Sequence, residues 1–259
     1  MKRRGGFLLA VVLIAALIFP AFVGAEEPGL FDGLSPSEHN IFTIEQDKEL
    51  NQQILPEITN PVLESYLQGL VDKLVEHVPA YAKKFEYRPI IILALEKGLR
   101  SLPGGAVIVP IVDLAEISSE DRLVASIAHE IAHSALRHGT AMATLEKEGV
   151  DEKDIIMLWV KKEAEADLFG ARLLMAAGYS PRDTIKFFDD LVIEGKPHDE
   201  RHPAHAARAQ MYRAEMTRLS GKFPERQRTP AGELQKIRNL AGKIIMENVF
   251  IVPRAPGVR

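Results

Sequence analysis

Residues 129–133 have the sequence His-Glu-Ile-Ala-His, an H-E-x-x-H pattern. Its two imidazole rings lie close to each other only if the segment is an α-helix. Residues four apart in an α-helix lie one above the other, so a helix lets both rings reach one metal ion. With His129 at zero and about 100° per residue, His133 falls at about 40°, and the apolar residues between 124 and 135 fall at about 160–260°. The pattern predicts a helix that packs on its apolar face and turns both histidines towards a cleft or solvent. The alternative is two histidines that bind no metal.

A typical catalytic zinc site has a third protein ligand, and because the chain has no cysteine that ligand must be a histidine or a carboxylate. On a later predicted helix, Glu163 and Asp167 share one face, about 40° apart. Lys161, Glu165 and Arg172 lie on the opposite face and form a charged stripe. Two carboxylates on a face turned away from water are costly without a partner. We therefore predict Glu163 as the third ligand, Asp167 as an outer acceptor for a ligand histidine, and Glu165 as an exposed charge.

The pattern of apolar residues and turn residues predicts an α+β fold that is mostly helical and has a small sheet or hairpin. The predicted elements are helices over 38–55 and 61–78, strands over 85–95 and 106–111, a turn at Pro103-Gly104-Gly105, and several helices from residue 118 onward, the last over 232–247. The two strands with the turn between them suggest a hairpin.

The composition is that of a folded protein, with 46% apolar and 26% charged residues among 259, which excludes wholesale disorder. The chain carries 32 basic and 36 acidic residues, and a net charge of −4 gives no support to a nucleic-acid partner. We expect four segments: a signal peptide over 1–25, a flexible leader over 26–37, a folded domain over 38–219, and a linker and helix of unknown role over 220–259.

Residues 1–25 follow the order of a secretory signal, with three basic residues near the start, an apolar run over 7–19, and small residues before Glu26. The apolar run is shorter than the roughly 20 residues that span a bilayer. We expect an exported protein with the periplasm as its destination. The alternative is an uncleaved N-terminal membrane anchor that leaves the rest of the chain facing the periplasm, and this segment would then be its sole membrane contact.

Four blocks of the chain together resemble the M48 zinc metallopeptidases, a gluzincin family. The blocks are His129-Glu130-x-x-His133; Glu163-Ala164-Glu165-Ala166-Asp167, which matches the family's E-x-E-A-D; Leu102-Pro103-Gly104-Gly105, which matches its L-P-G-G turn; and His202-Pro203 followed by Arg208, which matches its H-P-x-x-x-x-R. The resemblance covers residues 38–219. One departure is Leu99-Arg100-Ser101-Leu102, where the family often has Asn-Ala-Phe-Ala.

The resemblance implies a zincin-like fold and an exported zinc metalloendopeptidase of protein quality control, with one Zn²⁺ per chain held by His129, His133 and Glu163. Glu130 would act as general base on the zinc-bound water and pass the proton to the leaving amine. The turn and the following strand would hold an extended polypeptide along a sheet edge, which suits unfolded or misassembled proteins. The alternative is a zinc-containing chaperone for unfolded envelope proteins, with little or no protease activity.

Other residues near these blocks have open roles. His202 could fill the fourth zinc position and keep the enzyme latent, stabilise the oxyanion during turnover, or only begin a helix before Pro203. Trp159 and Phe169 are predicted to lie in the core. The remaining histidines of this half of the chain are predicted to lie at the surface: His138, His198 and His205.

Overall fold

The computed structural model describes residues 29–52, 57–224 and 230–249, so the predicted signal peptide lies outside the described residues. The helices are α1 (Ile44–Leu50), α2 (Pro61–Val75), α3 (Ile111–Glu116), α4 (Glu120–Ala135), α5 (His138–Lys147), α6 (Glu152–Ala176), α7 (Arg182–Ile193), α8 (His205–Leu219) and α9 (Ala231–Val249). The strands are β1 (Pro89–Ile92), β2 (Arg100–Ser101) and β3 (Val107–Pro110), and a short 3-10 turn spans Ala80–Ala82. A mostly helical chain with one small sheet agrees with the predicted α+β class.

Side-chain caps set where several helices begin. The Thr43 hydroxyl accepts from the Gln46 amide and the Gln46 side chain accepts in return, a capping box that starts α1 six residues after the predicted position. Asn60 caps α2, with Pro61 in the first helical position, where its missing N–H costs nothing. Ser119 caps α4, because its hydroxyl accepts from the backbone amide of Arg122.

The sheet has the order β1-β3-β2, and the pairing of its two longer strands differs from the prediction. β1 and β3 are parallel, with Pro89 opposite Val107, so the predicted strands do not form a hairpin with each other. The hairpin is made by the two-residue strand β2, which lies antiparallel to β3. β3 is therefore the central strand, and the expected sheet edge at residues 106–111 is wrong. The edge on that side is β2.

Helix α4 lies at the centre of the fold, where it packs against α6 and also contacts α2, β2 and β3. Between residues 123 and 135, only Ser126 and Glu130 are not buried. The apolar face packs as predicted, and the face that carries the two histidines is covered as well. This face therefore forms a closed cleft against α6 rather than a solvent-exposed surface.

Helices α6, α7 and α8 pack together through a second apolar cluster. Its buried members are Ala171, Ile185, Phe188, Ala209 and Tyr212. This packing holds α8 beside the C-terminal half of α6, which places the segment around residues 202–208 next to the histidine face of α4.

The C-terminal helix α9 packs against α3 and α2, with Ile237 and Ala241 buried. Near the other end of the described chain, Leu34 is buried and the Ser37 amide donates to the Leu136 carbonyl at 3.1 Å, so part of the predicted leader contacts the folded body. Residues 29–32 belong to a separate unit and form a turn. Across the described ranges, the helices contain no segment with the length and hydrophobicity of a membrane span.

Candidate metal centre

The side chains of His129, His133 and Glu163 meet in a buried group that could hold a metal ion; we call it the His-His-Glu group. The Nε2 atom of His129 lies 3.0 Å from the Nε2 atom of His133 and 3.0 Å from Oε2 of Glu163. The Nε2 atom of His133 lies 3.4 Å from the other carboxylate oxygen of Glu163. Glu163, which was predicted as a ligand from its position on the helix face, is the glutamate that the fold brings to the two histidines.

The spacing of these atoms fits one small cation. Ligands at about 2.0–2.1 Å around a tetrahedral zinc ion are separated from each other by roughly 3.3 Å. The three separations in the His-His-Glu group, 3.0 to 3.4 Å, are close to that value. Two imidazole nitrogens and a carboxylate oxygen are also a set of ligands that suits zinc and the divalent transition metals, whereas Ca²⁺ and Mg²⁺ bind mainly to oxygen ligands.

The electrostatics of the group favour a positive charge between the three side chains. Burial alone lowers the pKa of His129, but contacts with Asp167 and Glu163 outweigh it and raise the pKa to about 10. Burial likewise favours the neutral acid of Glu163, yet the two histidines hold its pKa well below the usual range. A divalent cation that displaces the proton supplies the same compensating charge, and so metal binding would release a proton here.

Asp167 and Arg208 lie directly behind His129. The Oδ1 atom of Asp167 lies 3.0 Å from Nδ1 of His129, although the ring N–H does not point along this contact. The guanidinium of Arg208 donates two hydrogen bonds to the Asp167 carboxylate, both at 2.6 Å. Burial raises the pKa of Asp167, but the charges of Arg208 and His129 outweigh it and keep the carboxylate ionised. The predicted outer acceptor therefore lies where it can orient His129 through the ring nitrogen that does not face Glu163.

Three residues differ from their predicted surroundings. Arg172 is buried and its Nε donates to Glu215 at 3.1 Å, so it is not part of a solvated stripe. Glu165 is half-buried and lies 3.2 Å from Nε2 of His138. His138 itself is fully buried rather than on the surface, because its ring packs beneath His133 with 3.1 Å between the two Nδ1 atoms.

The position of His138 is explained by a change of chain direction between α4 and α5, for which the sequence has no glycine signal. In a continuous helix, His138 would lie about 140° round from His133 and face away from it. Helix α4 ends at Ala135, and Arg137 takes the left-handed conformation (φ 57°) that glycine usually occupies at such ends. An ion pair between Arg137 and the buried carboxylate of Asp47, at 2.6 Å, stabilises this conformation. The next helix therefore starts by bringing His138 back towards His133.

The predicted substrate turn lies beside the His-His-Glu group. The Ser134 hydroxyl on α4 donates to the Leu102 carbonyl at 3.1 Å, and Pro103 lines a small cavity together with His133. Gly104 and Gly105 have positive φ values of 87° and 121° and contact other backbone segments closely. A Cβ atom on Gly104 would lie 2.5 Å from the Asp47 carbonyl oxygen, so this glycine is required for packing.

The other predicted site residues lie around the same group. Glu130 is half-buried, and within the described ranges its carboxylate makes no hydrogen bond or ion pair. The Nε2 atom of His202 lies 3.3 Å from Oε2 of Glu163. Phe169 is fully buried as predicted, whereas the half-buried Trp159 has its ring 6.3 Å from that of His133 and borders the site.

No protein-family model matches the chain, and no curated protein matches it significantly.

Proposed function

We propose that this protein is an exported zinc metalloendopeptidase with a zincin-like fold, of the M48 type, that hydrolyses peptide bonds of unfolded or misassembled proteins. The supporting observation is that the four sequence blocks, which are separated by up to 100 residues, gather around the His-His-Glu group. The turn is bonded to α4 through Ser134, and Arg208 reaches the group through Asp167. Zinc is proposed because a buried set of two imidazoles and one carboxylate is typical of catalytic zinc sites.

In this proposal His129, His133 and Glu163 hold the ion, and Asp167 with Arg208 fixes the ring of His129. A bound zinc ion would supply a Lewis acid that polarises the scissile carbonyl and acidifies a water molecule. The Glu130 carboxylate, which has no hydrogen-bond or ion-pair partner among the described residues, accepts a proton from the attacking water and donates it to the amine as the C–N bond breaks. The water oxygen stays on the new carboxylate, so no bond to the protein forms.

The test compares wild type with Glu130→Gln on a reduced and alkylated protein that cannot refold. We expect zinc-loaded wild type to cleave it, a chelator to stop cleavage, and added zinc to restore it. The Gln variant should bind zinc equally and lose cleavage by at least about 10²-fold, the scale of general-base catalysis.

Glu76→Gln serves as the matched control, because Glu76 is exposed at the end of α2 and far in sequence from the site. It should cleave at the wild-type rate. Binding of the unfolded protein with equal, negligible cleavage by all three proteins would instead support the zinc-containing chaperone. Cleavage that survives in Glu130→Gln would assign the base to another residue.

A further inference from the structure

His138 is a fully buried histidine that the proposed reaction does not use, and both of its ring nitrogens face specific partners. Its Nδ1 atom lies 3.1 Å from Nδ1 of His133, and its Nε2 atom lies 3.2 Å from Oε2 of Glu165. The two rings are nearly perpendicular, with centroids 5.0 Å apart, so the nitrogen contact does not come from ring stacking. Because each ring nitrogen of His138 faces a specific partner, the ring can accept a hydrogen bond at one nitrogen and donate one at the other.

The orientation of His133 fixes where each proton in this contact lies. Its Nε2 atom faces His129 and Glu163, so Nε2 is the atom that would bind a metal. The remaining nitrogen, Nδ1, then carries the proton and must donate it. The facing Nδ1 of His138 must accept that hydrogen bond, which leaves the His138 proton on Nε2. That proton lies on the side of the Glu165 carboxylate, where a small rotation would align the present off-axis contact.

The contacts from His133 to His138 and from His138 to Glu165 end in an ion pair between Glu165 and Lys162. The Nζ atom of Lys162 donates to Oε2 of Glu165 at 3.0 Å, and the Glu165 side chain is 21% exposed. The arrangement parallels the one behind His129, where Asp167 is held by Arg208. Each histidine of the metal group is therefore backed by a carboxylate paired with a cation, directly for His129 and through a second imidazole for His133.

We propose that His138 and Glu165 are positioning residues that fix the tautomer and ring orientation of His133 and so raise the metal affinity of the site. This inference rests on the metal site of the proposed function. Residues that orient metal-bound histidines typically change metal affinity by about 10–100-fold when they are replaced. It also gives the second glutamate of Glu163-Ala164-Glu165 a role other than metal ligation.

The test measures zinc affinity by competition with a chromophoric chelator. His138→Phe keeps a planar aromatic ring at this position but removes the acceptor, and we expect it to weaken zinc binding about 10–100-fold. His138→Asn places an amide oxygen near the position of Nδ1, and we expect affinity within a few-fold of wild type. Thr144→Val is the matched control, because Thr144 is a fully buried hydrogen-bonding residue on the same helix that does not face the group.

A second readout follows the His133 ring itself. In ¹H–¹⁵N spectra of the zinc-loaded protein, the Nδ1–H proton of His133 should exchange slowly in wild type and in His138→Asn, and quickly in His138→Phe. A role of His138 in packing alone would not produce this pattern. We expect Glu165→Ala, at a half-buried position, to weaken zinc binding several-fold. Lys153→Ala, at an exposed position on the same helix, should leave zinc binding unchanged.

Two results would overturn the inference and leave the metal site intact: equal zinc affinity in wild type, His138→Phe and Glu165→Ala, or an equal loss in His138→Phe and His138→Asn. The first result would show that His138 and Glu165 do not affect metal binding. The second would show that His138 acts only through packing. A wild-type protein that binds no zinc would overturn this inference together with the proposed function.

Discussion

The Glu163 carboxylate is approached by three imidazoles, which differ in how tightly the fold holds them. His129 and His133 are buried on α4, whereas the His202 side chain is 37% exposed. Both His129 and His202 lie against the same oxygen, Oε2. His202 therefore lies against the same side of the Glu163 carboxylate as His129, and its side chain is the most exposed of the three imidazoles. We propose that His202 occupies the fourth metal position, and the 3.3 Å contact with Glu163 is the observation that supports this proposal.

We predict that His202→Ala raises the basal rate of cleavage of an unfolded substrate, because it opens the position that the attacking water needs. The measurement compares the variant with wild type at equal zinc occupancy. His205→Ala is the matched control, since the contacts of His205 are with the Pro197 carbonyl and the rings of Phe188 and His198 and not with Glu163.

A fall of about 10²-fold in His202→Ala would contradict latency and assign His202 to stabilisation of the oxyanion. An unchanged rate would leave His202 as a structural residue before Pro203.

The ligands of the His-His-Glu group lie on α4 and α6, and Gly170 on α6 allows the two helices to approach each other closely. A Cβ atom on Gly170 would lie 3.1 Å from the backbone nitrogen of His129 and 3.2 Å from its Cα atom. Neither atom can move unless a helix moves. Gly170 lies on the same face of α6 as Glu163 and Asp167, so the absence of a side chain lets both carboxylates reach α4.

We predict that Gly170→Ala destabilises the protein although alanine is the better helix former. The gain in helix propensity is about 1 kcal/mol, and crowding between two packed backbones costs about 1–3 kcal/mol. Gly69→Ala in α2 is the control, because its Cβ would meet nothing within 4 Å, and it should stabilise by about 0.5–1 kcal/mol. Urea unfolding with excess chelator gives both free energies. Equal stabilisation by the two substitutions would contradict the close approach.

Helix faces were predictable from the sequence because side-chain direction repeats with a known period. This is why Glu163 and Asp167 could be assigned to one face before the fold was known. The parallel pairing of β1 and β3 was not predictable, since alternating apolar residues do not encode the direction of a partner strand, and β2 has only two residues. His138 was missed for a related reason, because Arg137 stands where a glycine would have signalled the reversal.

At the scale of the whole molecule, the candidate site is assembled from segments that are distant along the chain. Residues 102–105, 129–138, 163–167 and 202–208 converge on one side of α4, and the packing of α6, α7 and α8 brings the last of these into place. The chemistry of each segment was predictable from its residue types, but the outer contacts were not, because they depend on side chains that meet across these distances. The pairing of His138 with Glu165 is one such contact.

The most direct test is the zinc content of purified protein after saturation and removal of unbound metal. We predict one zinc per chain in wild type and in Glu165→Ala, and a loss of bound zinc in His129→Ala, His133→Ala and Glu163→Ala. Glu163 and Glu165 are two residues apart on α6, so they form an internal pair for comparison. A wild-type protein without zinc, or a Glu163→Ala variant that keeps zinc while Glu165→Ala loses it, would contradict the account.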